Sequence, residues 1–302
     1  MAEIILIVIG LCLFETINSI DNAIINADVL ATMKAKARRW FLIYGILIAV
    51  FLVRGLLPWL IVYFTTGLGV VGSFTATFSN DPHVAEVIEK SAPVLLMGGG
   101  IFLVLLFFHW LFLEDKRFYL KHEHFFRKQG IWFYFASSVF LAILAFTIES
   151  RELFLGAIVG STVFFLVEGF KKQAEAAEEN LVHNSGGSDV AKILFLEVID
   201  ATFSIDGVIG AFAFTMSVPL ILLGNGLGAV VVRQLTIGNI DRIKKYIFLK
   251  NGAMYSVVVL GSIMMAEAFG HEVSSWIAPT ATIIIVGFFL YKSIKYNKNL
   301  PT

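Results

Sequence analysis

Four carboxylates in this chain stand in two copies of one pattern. Glu15-Thr-Ile-Asn-Ser-Ile-Asp21-Asn22-Ala-Ile and Asp200-Ala-Thr-Phe-Ser-Ile-Asp206-Gly207-Val-Ile each put an acid six residues before an Asp, with Ser-Ile just ahead of it. Both copies lie inside long apolar segments. A carboxylate at the centre of a bilayer costs roughly 2.5–3.5 kcal/mol on insertion scales. Four of them cost on the order of 10 kcal/mol, before their mutual repulsion is counted. Protonation, arginine partners or a bound cation can stabilise such a group. Arg54 and Arg233 are only two, so a divalent cation is the natural third term. With Glu197 one turn from Asp200, the ligand set is Glu15, Asp21, Asn22, Glu197, Asp200 and Asp206, and Asn18, Ser19, Ser204 and Asn225 are supporting neutral groups. Carboxylate, amide and hydroxyl oxygens suit Mg, Ca or Mn rather than Cu or Zn. Without its cation such a site would repel itself and take up protons, which points to cation–proton exchange.

The elements that carry these groups follow from composition. The chain has 302 residues, is 58% hydrophobic and only 15% charged, against about 25% charged in soluble domains. Mean hydropathy is +0.82. This excess is too large for one soluble core, so the expected class is an all-α polytopic membrane protein. Net charge is zero, which gives nucleic acid no electrostatic footing. The single Cys12 excludes an intrachain disulfide and a thiolate metal site. The first segment has no basic leader or small-residue cleavage site and reads as a retained helix.

A spanning helix needs about 20 mostly apolar residues. Nine segments qualify: 4–33, 40–66, 93–113, 131–149, 153–170, 192–216, 219–238, 247–269 and 274–291. Basic residues alternate between the loops. Lys34 to Arg39, Lys116 to Lys128, Lys171 with Lys172 and Lys192, Arg242 to Lys245, and the tail lysines mark one side, while the loops between are nearly free of them. By the positive-inside rule the N-terminus lies outside and the C-terminus in the cytoplasm of an inner or plasma membrane.

Residues 171–191 run from a Lys/Glu/Ala-rich helical extension into the flexible Asn184-Ser-Gly-Gly-Ser188 and divide the chain. The acidic segments align at an offset of 185, and Gly45-x8-Arg54 matches Gly224-x8-Arg233. Because spans 1 and 6 enter from opposite sides, the repeats are inverted, an arrangement that puts substrate near the midplane. The organisation is a first repeat over 1–113 (spans 1–3), an inserted pair with a cytoplasmic linker over 114–191 (spans 4–5), and a second repeat plus span 9 over 192–302. At about 1.5 Å per residue, Glu15 shares a level with Asp206, and Asp21 with Asp200. Six residues of straight helix turn a side chain by about 600°, leaving the two acids of a pair about 120° apart. For both to reach one cavity, each helix should bend, near Asn18–Ser19 and near Phe203–Ser204.

Other polar positions have plainer readings. Arg54 is too deep to snorkel and reads as a partner of the acids, whereas Arg233 is open between that role and snorkelling. Asn225 is open between a ligand and an interhelical hydrogen bond. Glu149, Glu168 and Glu267 read as interfacial, and Asp28 lies at the cytoplasmic mouth of span 1. His122-x-His124 falls in a basic, aromatic stretch that reads as an amphipathic helix on anionic lipid. Gly98-Gly-Gly100 allows close helix packing.

The stretches Glu15…Ser19-Ile-Asp21-Asn22-Ala, Gly45-Ile-Leu-Ile-Ala…Arg54-Gly55 and Glu197…Asp200…Ser204-Ile-Asp206…Phe214-Thr215…Asn225…Arg233 resemble the TerC (tellurium-resistance) family of integral membrane proteins, in the branch long labelled as a domain of unknown function. The resemblance covers most of spans 1–3 and 6–8. It implies transport of a divalent metal, chiefly manganese export, with Glu15, Asp21, Asp200 and Asp206 as the functional acids and Asn22 beside them. Gly207 departs from the Ser often found there, and spans 4 and 5 are extra. The expected protein is a transporter and not an enzyme. It has no prosthetic group, a metal cation as substrate and the lipid bilayer as partner, and it is compatible with a homo-oligomer. Alternatives from the same residues are a tellurite- or other-cation resistance protein, a partner that supplies metal to secreted proteins, and an intramembrane hydrolase using paired carboxylates.

Overall fold

The computed structural model of the chain describes all residues except 1, 46–47, 49–54, 57–58, 61–62, 65–66, 79–81, 115–117, 184–187, 239–244 and 299–302. Among the described residues the chain is all-α, with no strand. The principal helices are α1 (Ala2–Asn18), α2 (Ile20–Ala31), α3 (Ala35–Trp40) with a π-helical turn at Phe41–Gly45, α4 (Gly69–Phe78), α5 (Pro82–Phe112), α6 (Lys121–Lys128), α7 (Trp132–Thr147), α8 (Arg151–His183), α9 (Asp189–Ala211), α10 (Val218–Gly238), α11 (Leu249–Ala268) and α12 (Ile277–Lys298).

Four of these contain stretches long and apolar enough to cross a membrane: Ala92–Phe112, Arg151–Gln173, Leu249–Ala268 and Ile277–Lys298. A fifth is obtained if α6 and α7, bent by 102° to each other, form one span. These apolar helices are compatible with a multi-pass membrane protein. The acid-bearing helices do not meet this criterion, for two physical reasons: α1 and α2 are only 17 and 12 residues long, and α9 carries Asp189, Lys192, Glu197, Asp200 and Asp206 within 23 residues.

The core forms around α5, whose Met97, Ile101, Phe102, Leu103, Leu105 and Trp110 are buried. Glycines set its distance from both neighbours. A Cβ on Gly98 would lie 3.0 Å from the Gly156 carbonyl of α8, and one on Gly100 would lie 2.8 Å from the Gly261 carbonyl of α11. Backbones approach this closely only where small residues line the seam, as the glycine run at 98–100 predicts. Outer faces of α7 and α8 leave Phe135, Phe146, Val159 and Leu166 exposed, which suits lipid.

Several expectations are met differently. The stretch read as a long loop after residue 66 contains α4, and α5 begins at Pro82, eleven residues before the expected span. The extension after residue 170 is helical as expected, since α8 continues to His183, and Ser188 caps α9 by accepting from the Ala191 amide at 3.2 Å. The amphipathic stretch at 121–128 is a helix, but it is tied into the bundle. Glu123 is fully buried and accepts from the Tyr119 amide (2.7 Å), Asn251 Nδ2 (3.0 and 3.1 Å) and Tyr255 OH (3.0 Å). His122 Nε2 lies 2.7 Å from the same Tyr255 hydroxyl.

The first acidic helix is interrupted at Ser19, the position at which a bend is expected. α1 ends at Asn18 and α2 starts at Ile20, with Ser19 at φ −90°, ψ 7°. Backbone bonds still cross the interruption, from the Ser19 amide to the Glu15 carbonyl (3.0 Å) and from the Ala23 amide to the Ser19 carbonyl (2.9 Å). The second acidic helix does not bend: α9 is continuous through Phe203 and Ser204. Its two acids stay on different faces and meet different partners.

Candidate functional site

α9 crosses the α1–α2 pair in the opposite chain direction. Glu15 of α1 lies against Gly207 of α9, where a Cβ would come 2.5 Å from Glu15 Oε2. Asn26 of α2, further along, donates to Asp200 Oδ1 at 2.8 Å, further back. Two polar nodes result, one on each face of α9.

The first node centres on Asp206 and Gly207. Glu15 is 1% exposed and accepts from Ser19 Oγ at 2.7 Å, so the interruption after Asn18 supplies the hydroxyl that orients it. α1 also packs closely on α10, where a Cβ on Gly228 would lie 2.6 Å from Glu15 Cβ. Asn225 of α10 is fully buried and donates to the Gly207 carbonyl at 3.3 Å, which makes it an interhelical bond and leaves its Oδ1 without a hydrogen-bond partner among the described residues. Asp206 is buried, and Lys171 Nζ of α8 lies 2.5 Å from its Oδ2. Asp206 Oδ1 has no hydrogen-bond partner among the described residues. Glu15 and Glu168 are the anions within electrostatic range of Asp206. Glu168 lies 3.6 Å from Lys171 and 3.4 Å from His109 Nε2 of α5.

The second node centres on Asp200. Arg233 of α10 is buried, with NH2 3.3 Å from Asp200 Oδ2 and NH1 donating to the Phe41 carbonyl at 2.6 Å. Its guanidinium also lies 4.5 Å from the centre of the Phe41 ring. Arg233 is therefore an ion-pair partner, not a snorkelling end group. Ser204 donates to its own helix, to the Asp200 carbonyl at 2.5 Å. Glu197 is half-buried beside Asp200 and Arg233, and a Cβ on Gly45 would lie 2.6 Å from its Oε1. Neither Glu197 oxygen has a hydrogen-bond partner among the described residues.

Of the residues expected to form the site, Glu15, Asp206 and Asn225 meet in the first node. Asp200, Glu197 and Arg233 meet in the second. Asn18 is half-buried at the end of α1. The side chains of Asp21, Asn22 and Asp28, and all of Arg54, lie outside the described residues. Among the described residues no group of three or more His, Cys, Asp or Glu side chains stands ready to hold a metal ion.

Sequence reasoning missed four polar residues. Lys171 reads as a loop cation and is instead a buried partner of Asp206, and Glu168 reads as interfacial but sits beside it. The signal was their spacing: three apart on a helix, Glu168 and Lys171 share a face. Lys192, also read as a loop cation, is buried in α9 and donates to Thr32 Oγ1 at 2.8 Å. Asn26 gave no signal, lying outside both copies of the motif.

Fold and site together define a class: multi-pass helical membrane proteins with acid–base pairs buried between helices. Over residues 20–300 the chain matches the model of a family described as "Protein of unknown function (DUF475)", and it belongs to that family. No curated protein and no solved structure matches it.

Proposed function

We propose that this chain is a transporter that exports a divalent metal cation, Mn2+ foremost, through an acidic site between α1–α2 and α9, by cation–proton exchange. The observation that carries this reading is the first node. The Glu15 carboxylate of α1 and the Asn225 amide of α10 meet at Gly207, next in sequence to the buried Asp206 of α9, and Asp206 Oδ1 and Asn225 Oδ1 have no hydrogen-bond partner among the described residues. Buried oxygens without donors are costly, and a hard cation is the ligand that carboxylate and amide oxygens suit. The resemblance to the TerC family, carried by the motifs of both acidic segments, makes manganese the first metal to try.

The nine-span layout with inverted repeats, N-terminus outside, is the frame of this proposal. The opposed directions of α1–α2 and α9 support it. A two-fold relation at the 185-residue offset turns the Glu15–Gly207 contact into one between Asp200 and Asn22. Asn26, which bonds Asp200, lies one turn beyond Asn22 on α2. An intramembrane hydrolase is less favoured, because a carboxylate dyad shares one proton between two acids, whereas Asp206 has Lys171 beside it and Asp200 has Arg233.

The test is Mn2+ flux in proteoliposomes. The wild-type chain should carry Mn2+ across the membrane, and Asp206→Asn and Asp21→Asn should each abolish the flux. Undiminished flux in both variants would refute the site. Absence of flux from the wild type, with other divalent cations and tellurite equally inert, would leave the metal-supply alternative standing.

A further inference from the structure

Lys171 stands at the end of an apolar helical stretch, where a lysine ordinarily extends its ammonium to the interface. Its neighbour Lys172 is exposed. Lys171 instead turns inward, with its side chain 10% exposed, and places Nζ 2.5 Å from Asp206 Oδ2. A buried ion pair compensates for desolvation only when the remaining lone pairs are also satisfied. Here they are not, since Asp206 Oδ1 has no hydrogen-bond partner among the described residues. The pairing therefore balances charge but leaves half of the carboxylate available. A second anion waits nearby: Glu168, one turn back on α8, lies 3.6 Å from the same Nζ. Lysine suits a change of partner, being a point charge on a flexible stem.

We infer that Lys171 is a tethered counter-cation that occupies Asp206 when no cargo is bound and yields it, moving toward Glu168, when a divalent cation enters. This rests on the transport reading above. It gives the α7–α8 pair, which lies between the two repeats, a direct part in the site: α8 supplies a positive charge that weakens cargo binding and so allows release. Lys171 is a positioning residue acting through Asp206.

The experiment measures two quantities on the full-length protein: equilibrium Mn2+ binding in nanodiscs and maximal Mn2+ flux in proteoliposomes. Lys171→Gln should tighten binding by about tenfold while lowering maximal flux, because the cation is no longer displaced. A purely structural role would weaken both together. Lys171→Arg should weaken binding, since a guanidinium grips a carboxylate through two parallel bonds. If the glutamine variant does not fold, Lys171→Met takes its place, with the same tightening of binding and fall in flux expected and a weakening of both overturning the role. Wild-type binding that is unchanged or weaker in Lys171→Gln, or unchanged in Lys171→Arg, overturns the role of Lys171 and leaves the transport reading intact. A wild type that binds no Mn2+ overturns the transport reading, and this inference falls with it.

Discussion

The pair between Arg233 and Asp200 makes the most quantitative prediction. Asp200 and Arg233 side chains are 6% and 9% exposed, and their closest atoms are 3.3 Å apart. At an effective dielectric constant near 20 that separation corresponds to about 5 kcal/mol of attraction, most of it offset by desolvation of the two groups. Arg233→Met removes the attraction but leaves the desolvated carboxylate, so the expected loss of stability is about 3–5 kcal/mol. The Phe41 carbonyl, which accepts from Arg233 NH1, loses that donor as well. Asp200→Asn on its own keeps the acceptor oxygen for Asn26 and costs less, about 1–3 kcal/mol. Because neither charge remains in the double variant, it should cost about 2–3 kcal/mol less than the sum of the two single losses, a coupling within the range seen for contacting residues. The assay is denaturant unfolding of the four proteins in mixed micelles, read as a double-mutant cycle. If Arg233→Met costs under about 1 kcal/mol, or if the two losses simply add, the guanidinium is not held by Asp200 and the second node is wrong as described.

Three further outcomes are expected. Gly228→Ala would put a methyl 2.6 Å from Glu15 Cβ and 2.8 Å from the Cys12 carbonyl, so α10 must part from α1 at about 1–3 kcal/mol; a melting curve that matches wild type would contradict the packing. Gly160→Ala would drive a methyl into the Gly98 carbonyl of α5, and melting temperature should fall, with Mn2+ flux falling beside it as α8 and its Lys171 shift. In Glu123→Gln an amide nitrogen replaces an oxygen that only accepts, among donors from Tyr119, Asn251 and Tyr255. A loss of about 1–3 kcal/mol should follow, with faster hydrogen exchange in α6; unchanged exchange there would show that Glu123 does not tie the helix down.

What the sequence could disclose followed from local pattern. Apolar runs located the spanning stretches within α5, α8, α11 and α12, because length and hydropathy alone decide whether a helix can span, but not the helix ends, since α5 starts eleven residues earlier and α8 continues to His183. The break at Ser19 falls where a bend is expected, while the Asp21 side chain on which that expectation rests lies outside the described residues. The same reasoning failed for α9 because it assumed one cavity. A straight α9 sends Asp206 toward α8 and α1, and Asp200 toward α2 and α10, so the 120° separation is used rather than removed. Lys171 and Lys192 were unreadable for a different cause. A lysine at the edge of an apolar run looks the same whether it snorkels or turns inward, and only a tertiary partner, here Asp206 or Thr32, distinguishes the two. Glu123 was hidden likewise, in an eight-residue helix of His, Arg, Lys and Phe whose one inward acid has its partners 128 and 132 residues away.

The two acids of α9 also differ in when their partners are made. Lys171 precedes Asp206 by 35 residues, and Arg233 follows Asp200 by 33. As the ribosome delivers the chain, Asp206 emerges with its neutralising charge already in place on the preceding helix, so α8 and α9 can leave the insertion channel together. Asp200 meets the neutral Asn26 donor of the earlier α2, at 2.8 Å, and its counter-charge on Arg233 arrives with α10.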